Sequence, residues 1–302
     1  MALIYFRYFL QHLVSFCHFG AKVVTKAFWR NSFWSILFFF FSHYEYPAAP
    51  IYHSSSDFPF NEQAMRDHIL ECFTYSTTSK HMKRVLIFGN SGGIGAAIQE
   101  ACIAKGYNVF GLSRSQHDLD LSDESKIISA IETLDGSFDQ IFITTGALVV
   151  NSAEPEKTIR QFNSNAAIDQ FITNALGPTL ILKHIKKLID KNSSCFIGVL
   201  SARVGSIGDN KLGGWYSYRA SKAALNQFIR TTAIEYSRSF PNLTCVAIHP
   251  GTVRTNFTKK YLGHHPAVSP QDASTNILQL AENLKPESSG QFFDWDKKTV
   301  PW

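Results

Sequence analysis

The stretch Arg84–Gly95, RVLIFGNSGGIG, decides the fold of this chain. Its apolar beginning predicts a short buried strand, and residues 96–102, AAIQEAC, predict a helix. A glycine-rich turn between the two aims backbone N–H groups and the positive end of the helix dipole at a pyrophosphate. The glycine spacing is G-x-x-x-G-x-G, and no lysine follows as in the phosphate loop of a nucleoside triphosphatase. We therefore expect a dinucleotide site at Gly89, Asn90, Ser91, Gly93, Ile94 and Gly95.

Further apolar segments predict strands that alternate with helical segments. They are residues 107–112, 140–144, 195–200, 243–248 and 291–294. One long helix, or two, is expected within residues 158–189. This alternation predicts a parallel sheet with right-handed crossovers. The expected fold class is α/β: a Rossmann-like doubly wound parallel sheet of about seven strands, forming a single domain over residues 82–302.

Tyr218 and Lys222 form the second informative feature, because they lie four residues apart in an amphipathic, Ala-rich segment. If that segment is helical, the phenol and the ammonium share one face, one turn apart. A free tyrosine has a pKa of about 10, and a nearby cation favours the phenolate and lowers that pKa. The pair is therefore a candidate proton donor with its activating cation.

Together these features resemble the short-chain dehydrogenase/reductase family, and the resemblance covers residues 82–302. Asn174, in NALGP, is similar to the helix asparagine of that family. Residues 249–255, HPGTVRT, are similar to the segment that closes over the nicotinamide. Four segments resemble more specifically the C-factor-like branch, which includes small carbonyl reductases: residues 201–207, 213–216, 290–294 and 300–302.

The resemblance implies an oxidoreductase that transfers hydride between NADP(H) and a small carbonyl or alcohol substrate. In this reaction Tyr218 protonates the carbonyl oxygen, and Lys222 lowers the pKa of the phenol and bonds the nicotinamide ribose. Asn174 holds a water that replenishes the proton. The substrate pocket is expected in the loops of residues 202–216 and 253–268.

The sequence differs from the family pattern at the catalytic serine. It usually precedes a glycine by three positions, and here Ala202 stands three positions before Gly205. Ser201 is assigned to the role instead, on the expectation that the strand end twists or bulges to aim its hydroxyl at the substrate.

Arg114 follows the second predicted strand, where NAD-preferring sites place an acid. A guanidinium fork matches a 2′-phosphate, so NADP (NADPH) is expected rather than NAD, the alternative being a plain surface arginine. An aspartate at the Asp120 position contacts the adenine in the family, and Ser122 is an alternative helix cap. The resemblance places further cofactor contacts at Leu121, Thr145, Gly146, Tyr218, Lys222, Pro250, Gly251, Val253 and Thr255.

Two other functional classes compete with the enzyme. A dinucleotide-binding sensor or cell-signalling protein of the C-factor type, with little turnover, fits the alanine at position 202. An inert Rossmann-like scaffold would bind no NADP, which the glycine turn, Asp120, Tyr218 and Lys222 argue against. A substrate panel with NADPH separates the three.

The amino-acid composition limits which kinds of partner the chain is expected to bind. The net charge is +5, but the basic residues are scattered without interleaved aromatics, so nucleic-acid binding is disfavoured. The five cysteines have no metal-ligand spacing, and His264 and His265 form a lone loop pair, so no metal is expected. Cysteines of this kind suit a reducing, cytoplasmic location. The resemblance implies a homo-oligomer.

Residues 1–81 differ from the rest of the chain and are expected to be an irregular extension. Thirteen of the 25 phenylalanines fall there, and residues 1–44 carry four basic residues and no acid. The longest charge-free apolar run, residues 33–41, is shorter than the roughly 20 residues that span a bilayer. Three interpretations stay open: a membrane-contacting segment through residues 1–44, a targeting sequence, or upstream translation before a natural start at Met82.

Overall fold

Six parallel strands form the sheet in the computed structural model, which describes residues 82–262 and 266–302. The strands are β1 (Arg84–Phe88), β2 (Asn108–Leu112), β3 (Gln140–Ile143), β4 (Cys195–Leu200), β5 (Leu243–His249) and β6 (Phe292–Asp294). Their order across the sheet is β2-β1-β3-β4-β5-β6, and every neighbouring pair is parallel. The predicted Rossmann-like doubly wound α/β fold is confirmed.

The expectation of about seven strands needs correction, since the described residues contain six. The sequence analysis assigned no segment to the seventh strand, and the connection from β2 to the next long helix, α3, is short. Only residues 113–123 connect these two elements, and Arg114–His117 form a short helix, α2, within that connection. A crossover to a further parallel strand takes about a dozen residues or more, so this connection has no room for one. Among the described residues, strand β2 is therefore one edge of the sheet.

Helices cover both faces of the sheet. Besides α2 they are α1 (Gly93–Ala104), α3 (Glu124–Glu132), α4 (Ser164–Phe171), α5 (Gly177–His184), α6 (Tyr216–Ser237) and α7 (Pro270–Asn283). The N-cap of α3 is Asp123, which accepts a hydrogen bond from the Ser125 amide, and not the alternative Ser122. The helix expected within residues 158–189 is interrupted between α4 and α5 by a π-helical turn, Ile172–Leu176. Pro178 lacks an N–H group, which favours a change of hydrogen-bond register at this point.

Strand side chains alternate between two buried clusters. Leu86 and Ile141 belong to the cluster that also contains side chains of α3, α5 and α6. Ile87 and Phe142 belong to the opposite cluster, with side chains of α1 and α7. With both faces covered, the parallel strands bring their carboxyl ends to one edge of the sheet, where ligands of such folds bind.

The predictions for residues 1–81, including the extension and its membrane contact, lie outside the described residues, as do His264 and His265. Within residues 82–262 and 266–302, no helix combines the length and the apolarity needed to span a bilayer.

Candidate active site

The glycine turn after β1 has the geometry of a phosphate cradle. Gly89 has a φ of +90°, a left-handed conformation that favours glycine, and its amide donates to the Leu112 carbonyl over 2.7 Å. A Cβ at Gly95 would lie 2.2 Å from the Gly89 carbonyl oxygen and 2.7 Å from Thr144 Oγ1. Only a residue without a side chain therefore lets α1 begin this close to the turn.

We expect Gly95→Ala to lower NADPH affinity by at least about tenfold, because one added methyl must push α1 off the turn that cradles the phosphates. Binding is measured by quenching of tryptophan fluorescence on titration with NADPH. Gly106→Ala is the control: it has a φ of +74° but open space around the new Cβ, so its affinity stays at the wild-type value. Unchanged affinity in Gly95→Ala would remove the turn from the binding site.

Other observations at the turn fit a dinucleotide. Gly92 caps α1 and provides no side-chain hydrogen bond, so the first-turn N–H groups are left for a ligand. Asn90 Oδ1 and Thr145 Oγ1 are buried without a hydrogen-bond partner. A Cβ at Gly93 would lie 2.6 Å from Thr255 Cγ2, so the loop after β5 lies directly against the turn. The residues present fit a pyridine dinucleotide.

The other predicted cofactor residues occupy distinct places. The side-chain Nδ2 of Asn90 donates to Gln99 Oε1 over 2.9 Å and lies over Gly111. Ser91 is exposed and Ile94 is half-buried at the start of α1. Pro250 and Val253 are buried in the loop after β5, where Gly251 has a φ of +81°.

Beyond β2, the adenosine-side predictions lie around α2 and α3. Arg114 is the exposed first residue of α2 and close enough to Asp120 to lower the pKa of that carboxyl. The main cause of the lowered pKa is the pair of hydrogen bonds that Asp120 accepts from Ser122. Leu121 packs against Gly177, where an added Cβ would lie 2.5 Å from Leu121 Cβ.

Tyr218 and Lys222 lie on α6 as their spacing predicts, and both are buried. Lys222 Nζ lies 6.0 Å from the centre of the Tyr218 ring and donates to the Leu200 carbonyl, at the end of β4, over 3.1 Å. Burial lowers the pKa of Lys222 to about 8. The ammonium therefore carries its charge at neutral pH and loses it as the pH rises through about 8.

The pKa of Tyr218 moves in the direction opposite to the sequence expectation. Burial raises it. The reason is geometric: the ammonium is committed to the Leu200 carbonyl, whereas a phenolate would be desolvated. The phenol is therefore protonated at neutral pH, which is the form that a proton donor in a reduction requires.

Asn174 lies in the π-helical turn and is fully buried. Its Oδ1 accepts from the Ala147 amide over 2.8 Å, and its Nδ2 donates to the Ala147 carbonyl over 2.7 Å and to Gln170 Oε1 over 2.6 Å. A Cβ at Gly146 would lie 2.8 Å from Asn174 Oδ1 and 3.3 Å from Lys222 Nζ. The segment after β3, the asparagine and the lysine thus meet at Gly146.

The structure does not aim Ser201 at this meeting point. Its hydroxyl donates to Asn226 Oδ1 over 2.6 Å, and the side chain is buried. The strand end keeps its alternation, because the Ser201 amide still donates to the Ile248 carbonyl over 2.8 Å. The twist or bulge on which the assignment of Ser201 depended is absent at this position, and this expectation is corrected.

Two groups that the sequence analysis missed hold the start of α6. Glu156 is buried, accepts hydrogen bonds from the Ser217 amide and hydroxyl, and its carbonyl accepts from the Trp215 amide over 2.5 Å. Arg219 donates to the carbonyls of Gly213, Gly214 and Val204. No local pattern marks Glu156. Gln170, in contrast, lies four residues before Asn174, a spacing that signals a shared helix face.

Comparisons with known proteins agree with this geometry. The model of the short chain dehydrogenase family matches residues 83–265, more than half of the chain. The C-signal protein of Myxococcus xanthus is 33% identical over 133 residues, which cover 44% of this chain and 76% of that protein. A 1-hydroxy-2-glutathionyl-2-methyl-3-butene dehydrogenase of Rhodococcus sp. strain AD45 is 35% identical over 133 residues, 44% of this chain but only 57% of that enzyme.

Solved structures support the same fold. A Burkholderia multivorans protein assigned to the short-chain dehydrogenases/reductases, crystallised with bound NADP, is 25% identical, with a TM-score of 0.59 over 73% of this chain and 100% of that one. The carbonyl reductase Sniffer of D. melanogaster is 22% identical, with a TM-score of 0.60 over 74% of this chain and 100% of that one. The predicted resemblance, including its C-factor and carbonyl-reductase branch, is confirmed: this chain belongs to the short-chain dehydrogenase family.

Proposed function

We propose that this chain is an NADP(H)-dependent oxidoreductase that interconverts a carbonyl and an alcohol. The observation that carries the proposal is the convergence at Gly146, where the buried Lys222 ammonium and Asn174 meet the segment after β3. Tyr218 lies one helical turn before Lys222, and this group lies at the same sheet edge as the glycine turn. Perturbed titratable groups gathered at the ligand-binding edge of such a sheet are typical of an active site.

Each side chain has a role that its surroundings support. Tyr218, protonated at neutral pH, donates its proton to the carbonyl oxygen of the substrate. Lys222 supplies a positive charge near the phenol and a donor for the nicotinamide ribose. Asn174 fixes the backbone at Ala147 and Gly146, and thereby the wall of the cleft. A bound nicotinamide would supply the hydride.

NADP rather than NAD is supported by Arg114, an exposed guanidinium at the end of β2 where an acid would favour NAD. The NADP-bound relative from Burkholderia multivorans supports the same choice. The glycine turn, together with Pro250, Gly251, Val253 and Thr255, would hold the dinucleotide. The domain boundary at residue 82, a homo-oligomer and a cytoplasmic location stay predictions.

The test uses the full chain with NADPH and a panel of aldehydes, ketones and quinones. We expect NADPH absorbance to fall on addition of at least one class of carbonyl, and NADH to be used less efficiently. If NADPH binds measurably but is not oxidised in the presence of any of these compounds, the proposed enzymatic function is rejected.

NADPH binding without turnover would instead describe a dinucleotide-binding sensor, and one observation favours this alternative. Ala202 stands where the family places its catalytic serine, and the Ser201 hydroxyl is bound to Asn226. The similarity to the C-signal protein points the same way. Binding without turnover would identify this class.

Ala202 provides a gain-of-function test. Its backbone is extended, with φ −146° and ψ 143°, at the start of the turn Arg203–Gly205, so a serine is tolerated there. We expect Ala202→Ser to raise kcat/KM by about tenfold, because a positioned hydroxyl adds a donor to the substrate oxygen. Ser201→Ala is the paired variant, with little expected change in turnover. The reverse pattern, in which Ser201→Ala abolishes turnover and Ala202→Ser has no effect, would restore the original assignment.

A further inference from the structure

Three aromatic side chains from both predicted pocket loops form a cluster with the Tyr218 ring. The Trp215 and Tyr218 ring centres lie 6.1 Å apart, and those of Trp215 and Tyr261 lie 5.5 Å apart, both edge to face. The Phe257 ring centre lies 6.4 Å from that of Tyr218. Tyr218 itself is buried, whereas Phe257 is 40% exposed, so the cluster opens to solvent on the Phe257 side.

Polar contacts hold this cluster in place. Trp215 has a φ of +52°, and its amide donates to the Glu156 carbonyl over 2.5 Å. On the opposite loop, Tyr261 donates its hydroxyl to Glu154, and Lys260 pairs with the same carboxylate over 2.7 Å. Because Trp215 and Tyr261 are held before a ligand arrives, binding orders little additional structure at these two rings.

The carboxylates around the rings already have partners. Glu154 is neutralised by Lys260, and the Glu156 carboxylate accepts from Ser217. The Arg219 guanidinium is bound to three backbone carbonyls. A cationic substrate would find no free carboxylate among these groups, and the Lys222 ammonium, 6.0 Å from the centre of the Tyr218 ring, would repel it.

From these contacts we propose that Trp215, Phe257 and Tyr261 form a preorganised aromatic enclosure beside Tyr218 that selects planar aromatic aldehydes or ketones without a cationic group. Ring edges and faces at these separations give a planar aromatic group stacking and edge-to-face contacts that a saturated ring of equal size lacks. The inference rests on the proposed carbonyl reduction and adds the substrate class.

The test compares three aldehydes on the full chain at saturating NADPH: benzaldehyde, cyclohexanecarbaldehyde and the cationic 4-(trimethylammonio)benzaldehyde. We expect kcat/KM for benzaldehyde to exceed that for each of the other two by about tenfold. In Phe257→Leu the ratio of benzaldehyde to cyclohexanecarbaldehyde should fall about fivefold, and Phe257→Tyr, which keeps the ring, should preserve it. Phe171→Leu is the matched control: Phe171 is 36% exposed but packs against Phe228, so its ratio should stay at the wild-type value.

The outcomes separate the inference from the proposed function. Equal kcat/KM for benzaldehyde and cyclohexanecarbaldehyde would overturn the enclosure while leaving the reductase in place. If no carbonyl is reduced, the proposed function fails. The aromatic enclosure is then tested separately, by calorimetric measurement of the binding of two amides to the NADPH complex. Tighter binding of benzamide than of cyclohexanecarboxamide, lost in Phe257→Leu, supports it, and equal binding overturns it.

Discussion

Tyr218→Phe is expected to lower kcat by about 10²–10⁴-fold, the usual contribution of a general acid, while NADPH affinity stays within about twofold. The phenol is the proton donor in this account, and burial keeps it protonated at neutral pH. Phenylalanine keeps the ring and its contacts with Trp215 and Phe257, so only the hydroxyl is lost. Steady-state rates with a reducible carbonyl and fluorescence titration with NADPH measure the two quantities.

The control is Tyr236→Phe, on the same helix. Tyr236 is also buried, but its hydroxyl donates to the Leu182 carbonyl, away from the site. The Tyr236→Phe variant should be less stable than the wild type and keep its kcat. Equal rates for wild type and Tyr218→Phe would exclude Tyr218 as the acid.

Lys222→Met is expected to have the second-largest effect, a loss of about 10²-fold in kcat/KM, because the charge beside the phenol and a ribose donor disappear together. The same substitution should stabilise the fold at pH 7. A lysine whose pKa falls from 10.5 to about 8 in the folded state carries a penalty of about 3 kcal/mol when charged. The unpaired Leu200 carbonyl left by methionine offsets about 1–2 kcal/mol of this gain.

The sign of the pH dependence follows from the lowered pKa. Between about pH 8 and pH 10.5 the unfolded chain binds the proton and the folded chain does not, so wild-type stability rises with pH across this window. The stability advantage of Lys222→Met is therefore constant below about pH 8 and shrinks above it. Urea unfolding at pH 7 and pH 10 measures it, with the exposed Lys187→Met as control. An advantage that does not change with pH would contradict the buried ammonium.

The fold was predictable where its signals are local. The apolar run of β1, the glycines after it and the α6 spacing of Tyr218 and Lys222 are periodic features of short segments. The number of strands was overestimated because it depends on the length of one connection, residues 113–123, which leaves no room for another strand and its helix. The sequence indicated one long helix, or two, around Asn174 but not the π-helical turn, since its hydrogen-bond register depends on buried neighbours such as Ala147 and Gln170.

The sequence motifs of the site were predictable, but the hydrogen bonds that hold its residues in place were not. The assignment of Ser201 required a twist or bulge that the structure does not have: a hydroxyl at a strand end faces whichever partner the alternation gives it, and here that partner is Asn226. Glu156 bonds Ser217 across 61 residues of sequence, and Glu154 bonds Tyr261 across 107, separations at which sequence carries no visible signal. Whether an ammonium lowers the pKa of a phenol depends on burial and on competing acceptors, which spacing alone does not reveal.

The most direct test of the central claim is a crystal structure of the full chain with NADP. The account predicts the pyrophosphate on the glycine turn, the nicotinamide ribose bonded to Lys222 Nζ, and the Tyr218 hydroxyl facing the nicotinamide. A nicotinamide that lies away from Tyr218 and Lys222, or a dinucleotide that binds elsewhere, would contradict it.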